Sequence, residues 1–196
     1  MNYIKDKLSH MTKKEAISSL KKKHENILSV IDKREGVYIW GTGQLGQFVY
    51  AQCGKNNVFV HGFIDNNKDN FSAEEKIFSC DILKQKDTVI IASFFCVEIA
   101  DQLKNLGIKN YIYYEDLAQI LDGFDTYYPA FQGIHEELET NKAKYMHLYD
   151  ILADELSREI YANLINYRMS LDTKYTIDAL NLSLQNGSQY FDKVIT

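Results

Sequence analysis

Val37-Tyr38-Ile39-Trp40-Gly41-Thr42-Gly43-Gln44-Leu45-Gly46 is the stretch that decides how this chain reads. Four apolar residues form a short strand pattern, and Gly41 stops it. Leu45, Phe48, Val49 and Gln52 then recur at helical spacing. The result is a strand, a turn and a helix, with glycines at the first, third and sixth positions of the turn. Each glycine has a different task. Gly41 permits the tight turn, Gly43 lets the backbone approach a diphosphate, and Gly46 lets helix and strand pack closely. The backbone of Thr42, Gln44 and Leu45 completes a cradle of N–H groups at the positive end of the helix. Gly54 is expected to end this helix in a left-handed conformation.

Downstream, strand and helix patterns alternate. Val58 to Ile64 is β-rich and ends in Asp65-Asn66-Asn67, with Asp65 19 residues beyond Gly46. An acid at that separation, at the end of the next strand, accepts hydrogen bonds from ribose hydroxyls. The plainer reading of Asp65 and Asn66 is a loop, which both residue types favour. Val89 to Ala92 is an unbroken apolar strand followed by Ser93. Cys96, Ile99, Ala100 and Leu103 mark a helix closed by Gly107, and Ile108 to Tyr114 is a fourth strand. Glu115 and Asp116 stand where acids stabilise a helix start. Strands separated by helix-length spacers pair in parallel, and an apolar run such as 89–92 is covered on both faces. The expected fold is α/β, a parallel sheet with helices on both faces, flanked by N- and C-terminal helical segments. The crossover between the second and third strands offers only polar residues at Asp65–Asp69 and a short helix at Ser79–Gln85, so strand order stays open.

The flanks read as helices, giving segments 1–34, 35–125 and 126–196. Thr12 and Glu15 have capping-box spacing ahead of Ile17, Leu20, Ile27, Leu28 and Ile31. Beyond the loop at Pro129, Leu138, Tyr145, Leu148, Tyr149 and Leu152 share one stripe. Leu156, Ile160, Leu164 and Tyr167 share another. Tyr161, Ile165, Met169 and Leu180 could cover a neighbour's surface or pack within these helices.

Bulk properties exclude several classes. With 45% hydrophobic residues among 196, the chain can bury a sizeable core. Its net charge of −5 disfavours nucleic acid. Residues 1–35 hold nine Lys/Arg against five Asp/Glu, and the cluster Lys21-Lys22-Lys23 there reads as a solvated helix face. No apolar stretch is long enough to span a membrane, and the charged start is unlike a secretory signal, so the expected location is cytoplasmic. Cys53, Cys80 and Cys96 are spaced for neither disulfides nor zinc. His10, His24, His61, His135 and His147 form no metal-binding spacing, and His61 reads as an ordinary strand histidine. Glu136, Glu137 and Glu139 open a helix and are explained by its dipole.

The turn itself narrows the ligand. Methyltransferases that bind S-adenosylmethionine usually carry G-x-G-x-G here, and Leu45 takes the third-glycine position. The turn therefore looks like a dinucleotide or sugar-nucleotide site, for NAD or a nucleotide-sugar. The passage VYIWGTGQLGQ…GFIDNN…DTVIIAS resembles the Rossmann-like domains of bacterial surface-sugar enzymes. These include the N-terminal domain of sugar-nucleotide acetyltransferases and the NAD-binding domain of sugar-nucleotide dehydratases. The resemblance implies that Gly41, Gly43, Gly46 and Asp65 face a nucleotide, with Ser93 as a weaker candidate. The segment Asp154 to Arg168, and Gln189-Tyr190-Phe191-Asp192, resemble the helical part that precedes the catalytic domain of FkbM-type methyltransferases. That resemblance implies an S-adenosylmethionine domain following Asp192, so the chain is expected to hold the non-catalytic N-terminal part, packing on that domain or forming a homo-oligomer. The alternative is an NAD-dependent nucleotide-sugar oxidoreductase or epimerase. The Tyr-x-x-x-Lys pair of short-chain dehydrogenases is not found at the tyrosines in and after the last strand: Leu117 stands four residues after Tyr113, and Tyr149 four after Tyr145.

Overall fold

The computed structural model describes residues 12–66, 76–127 and 133–194, with side chains as far as residue 184. Asn67–Asp69, His10, Pro129 and the side chains of Tyr190, Phe191 and Asp192 lie outside what is described. The chain divides into two compact units, 21–129 and 1–20 with 130–196. The division falls inside the segment that reads from sequence as one N-terminal helical zone.

The first unit is a five-stranded, all-parallel sheet: β1 Val37–Trp40, β2 Val60–Ile64, β3 Ile77–Phe78, β4 Val89–Ile91 and β5 Tyr111–Tyr113. The strand order is β3-β2-β1-β4-β5. Central β1 sets Ile39 beside Phe63 of β2 and Ile90 of β4, and its alternate neighbour Trp40 beside Ile64 and Ile91. All three residues of β4 are buried, as its apolar run requires. Helix α2 Glu25–Asp32 precedes the sheet in sequence, after α1 Lys13–Lys23, most of which belongs to the other unit; α3 Gln44–Lys55, α4 Cys96–Asn105 and α5 Tyr114–Ile120 are threaded through the sheet. Alternation along β2 assigns the layers. Ile64 clusters with Trp40, Val89 and Ile91 against Ile99, Ala100 and Leu103 of α4. Its neighbour Phe63, on the opposite face, meets the ring of Tyr50 from α3. Helices therefore cover both faces, and the expected fold class is observed.

Local expectations hold with adjustments. Thr12 and Glu15 form the capping box reciprocally: the Thr12 N–H donates to Glu15 Oε2 at 2.8 Å, and the Glu15 N–H to Thr12 Oγ1 at 3.3 Å. Gly54 does not end α3. The helix runs on to Lys55, and the left-handed residue is Asn57, an Asn doing what Gly commonly does. The fourth strand is shorter than the pattern 108–114, because Tyr114 already opens α5, where its hydroxyl donates to the carbonyl of Phe124. The crossover 79–85 contains a single 3-10 turn, Cys80–Ile82, and strand β3 just before it was not anticipated. Lys23 is also more than a solvated lysine. It reaches Asp116 Oδ2 at 3.2 Å, and His24 Nε2 lies 2.8 Å from the same oxygen. Asp116 is fully buried at the start of α5, so this pairing supplies charge compensation that burial demands.

The second unit holds α6 Ile134–Ile151, α7 Glu155–Ser170 and α8 Lys174–Val194. Asn141 leaves the helical region (φ −108°, ψ 16°) and kinks α6. Asp154 caps α7 by accepting from the Ser157 N–H at 2.8 Å. The core is Leu138 with Ile165 and Met169, flanked by Tyr145, Tyr149 and Tyr161. The buried line of α7 thus runs through Tyr161, Ile165 and Met169, and Leu164, on the stripe read from sequence, is exposed. Ile165 and Met169 pack in this unit's own core, whereas Leu180 remains 45% exposed. No helix among the described residues is long and apolar enough to cross a membrane.

Candidate functional site

At the carboxyl ends of β1 and β4, between the two strands where the chain's winding reverses, lies a cleft of about 580 Å³. In open α/β sheets this is where ligands are taken up. Eight of the nine residues singled out from sequence line it: Gly41, Thr42, Gly43, Gln44 and Leu45 from the first turn, Asp65 and Asn66 after β2, and Ser93 after β4. The ninth, Gly46, is set back from it and has a packing role.

The three glycines separate cleanly by what a Cβ would meet. At Gly46 it would fall 1.9 Å from the Gly41 carbonyl oxygen, so only glycine lets α3 sit this close to the end of β1. At Gly41 the backbone has φ +118°, and a Cβ would lie 2.4 Å from the Ala92 carbonyl oxygen. At Gly43 a Cβ would meet nothing within 4 Å. Gly43 is therefore not needed for protein packing, and the space beside it opens into the cleft. It is also the N-cap of α3 and offers no side-chain cap. The first N–H groups of a helix have no intrahelical partner, so this end presents donors and a partial positive charge.

Asp65 is placed at the end of β2 by the β1–β2 register and is oriented by a contact that sequence reading missed. Thr42 Oγ1 donates to Asp65 Oδ2 at 2.6 Å. The buried threonine of the first turn thus ties the acid to the glycine loop across 23 residues. Asn66 Nδ2 donates to Gln102 Oε1 of α4 at 3.1 Å and links the end of β2 to that helix. Ser93 accepts from the Phe95 N–H at 3.2 Å and shapes the turn that follows β4. That turn brings in lining residues not singled out before: Phe94 and Phe95, 84% and 69% exposed, and Glu98. Two consecutive aromatics directly after a buried strand, where polar turn residues are usual, were the available signal. Tyr127 also lines the cleft, its ring 5.0 Å from that of Phe48.

Two of the three thiols are shifted by their surroundings. Burial pushes Cys53 up to about 12. Cys96, at the start of α4, is raised by burial and then by the nearby Glu115, which opposes a nucleophilic role. Glu115 itself is pushed up to about 7 by burial, with Asp116 adding to the rise. A second cavity, about 630 Å³, lies at the opposite ends of the strands beside Tyr38, His61, Lys84 and Thr88. His61 there packs against Tyr38 and Phe59, with ring centroids at 5.0 and 5.1 Å, as an ordinary strand histidine would. Among the described residues no group of three or more His, Cys, Asp or Glu is placed to hold a metal. Tyr3 and Lys7, which do have the short-chain dehydrogenase spacing, lie outside the described residues.

Comparison with known proteins adds to this geometry. No curated protein matches the chain. Residues 33–112, the sheet from β1 into β5, match a family model described as C2185-like, N-terminal. Among solved structures, the methyltransferase FkbM from Methylobacillus flagellatus KT superposes with a TM-score of 0.56 at 14% identity. The superposition covers 90% of this chain and 51% of that one, so this chain spans about half the length of the methyltransferase whose fold it shares.

Proposed function

We propose that the sheet unit is a nucleotide-binding module for NAD or a nucleotide-sugar. In this reading it forms the N-terminal, non-catalytic part of an FkbM-like, S-adenosylmethionine-dependent methyltransferase of surface-sugar metabolism. One observation carries the binding half: a glycine free of packing duty, Gly43, borders a cleft shared with an uncapped helix start and an acid held by Thr42. The diphosphate sits on the N–H groups of 43–46, and Asp65 accepts from the ribose hydroxyls. The methyltransferase half is supported by the shared fold over 90% of the chain and by the resemblance of 154–168.

The test is an equilibrium titration with NAD, NADP, UDP- and CDP-sugars and S-adenosylmethionine. At least one of the nucleotides is expected to bind. NAD is expected ahead of NADP, whose 2′-phosphate would meet the Asp65 carboxylate. S-adenosylmethionine should not bind this chain. Gly43→Val should leave the fold largely intact, since a Cβ there meets no protein atom within 4 Å, and should weaken the best ligand at least tenfold, about 1.4 kcal/mol. Equal affinity of variant and wild type would remove the phosphate role from this turn.

A further inference from the structure

The cleft has two unlike ends. At the glycine turn a ligand meets N–H donors and the positive end of α3. At the other end it meets the turn after β4. Phe94 and Phe95 are largely exposed there, and Glu98, an exposed residue in the first turn of α4, lines the same wall. Aromatic faces carry the negative part of a quadrupole and attract cations. A carboxylate adds a full negative charge. Asp65 is the other carboxylate on the cleft, and no Lys, Arg or His lines it among the described residues. Apart from the N–H groups at the helix starts, the charged side chains that line the cleft are therefore all negative, and Glu98 puts one of them at the rim.

We propose that the Phe94–Phe95–Glu98 rim is an anion-excluding subsite, and that Glu98 determines specificity there. The group it takes, beyond the diphosphate, is uncharged or cationic. This rests on the nucleotide reading of the cleft. Two sources offer that chemistry: a neutral sugar on a nucleoside diphosphate, or the cationic ring of an oxidised nicotinamide dinucleotide. A sugar carrying a carboxylate is rejected. Glu98 also favours the start of α4 through the helix dipole, but that role acts equally on every ligand and gives no discrimination.

The experiment uses ligand pairs differing in one charge: UDP-glucose against UDP-glucuronate, and NAD+ against NADH, titrated at low salt into the full chain and into Glu98→Gln. Whichever pair binds, the less anionic member should bind about three- to tenfold tighter, as expected for one charge, a repelled carboxylate or an attracted cation, several ångströms from Glu98 in a partly solvated cleft. Glu98→Gln should remove most of that ratio, and 0.5 M salt should shrink it, since exposed charges are screened. The pair that binds identifies the source. Measurable but equal affinities within that pair overturn the subsite and leave the nucleotide reading standing, as does a ratio that Glu98→Gln leaves unchanged. Failure of both pairs to bind overturns the subsite, and the nucleotide reading falls with it if NADP and the CDP-sugars also fail to bind. Glu98 is exposed, and thermal unfolding of Glu98→Gln within a degree or two of wild type would show that the fold is not what changed.

Discussion

Two turns face each other across the point where the winding of the sheet reverses, and they solve the same geometric problem in opposite ways. Each follows a buried central strand and opens a helix. Gly41-Thr42-Gly43 has almost no side-chain bulk and leads into a helix that needs Gly46 to sit against its strand. Ser93-Phe94-Phe95 displays two large rings and needs no glycine at all. The first turn is built so that its backbone can be reached; the second leaves the reaching to side chains. They also rest on different supports. Thr42 and Asp65 brace the first through a polar bond, whereas the half-buried acid Glu115, close enough to Cys96 to raise it, lies near the start of α4.

The largest expected effect comes from adding bulk where the first turn has none. Gly46→Ala puts a methyl 1.9 Å from a backbone oxygen that cannot move aside as a side chain can. It should cost about 3 kcal/mol in denaturant unfolding, the upper range for overpacking. A loss below 1 kcal/mol would mean that the close approach of α3 and β1 is not what the glycine secures. Next comes the acid near the second turn. Glu115 titrates near 7 when folded against an ordinary 4.5, so the folded state takes up a proton between those values. Stability should therefore fall as pH rises from about 4.5 to 7 and level off above, by about 2 kcal/mol from this group. Glu115→Gln should flatten that part of the profile, and an unchanged slope would place the acid in water. The smallest effect is at the display end. Phe94→Ala should shift stability by no more than about 0.5 kcal/mol, as for other exposed positions. A clear loss there would make the ring part of the scaffold and weaken the contrast between the turns.

How much of this was legible follows from the distance over which each constraint acts. The glycine turn was readable because all three of its requirements lie within six residues. Asp65 was readable because a strand of fixed length delivers it to the same edge. The Thr42–Asp65 bond spans 23 residues, and the His24–Asp116 contact spans 92; neither leaves a pattern in a single sequence. Strand β3 has two residues and cannot show alternation, so the order β3-β2-β1-β4-β5 leaves no pattern in the sequence. In the helical unit the stripe through Leu164 was plausible by spacing, but the kinked α6 meets Ile165 and Met169 instead. Asn57 replaced Gly54 as the left-handed residue because Asn tolerates that conformation and the helix gains one more turn residue before it.

The shortness of β3 has a consequence beyond topology. A sheet's outer strands carry unpaired N–H and C=O groups, and a long, flat outer strand invites pairing with another chain. Here the outer strands β3 and β5 are two and three residues long, against five, four and three for the inner strands β2, β1 and β4. Gly62 lets β3 come in so closely that a Cβ there would lie 2.4 Å from the Lys76 carbonyl oxygen, which binds the short strand to its neighbour. A sheet with such brief borders offers little template for runaway strand addition, so the same economy that hid β3 from sequence reading guards the protein against aggregation.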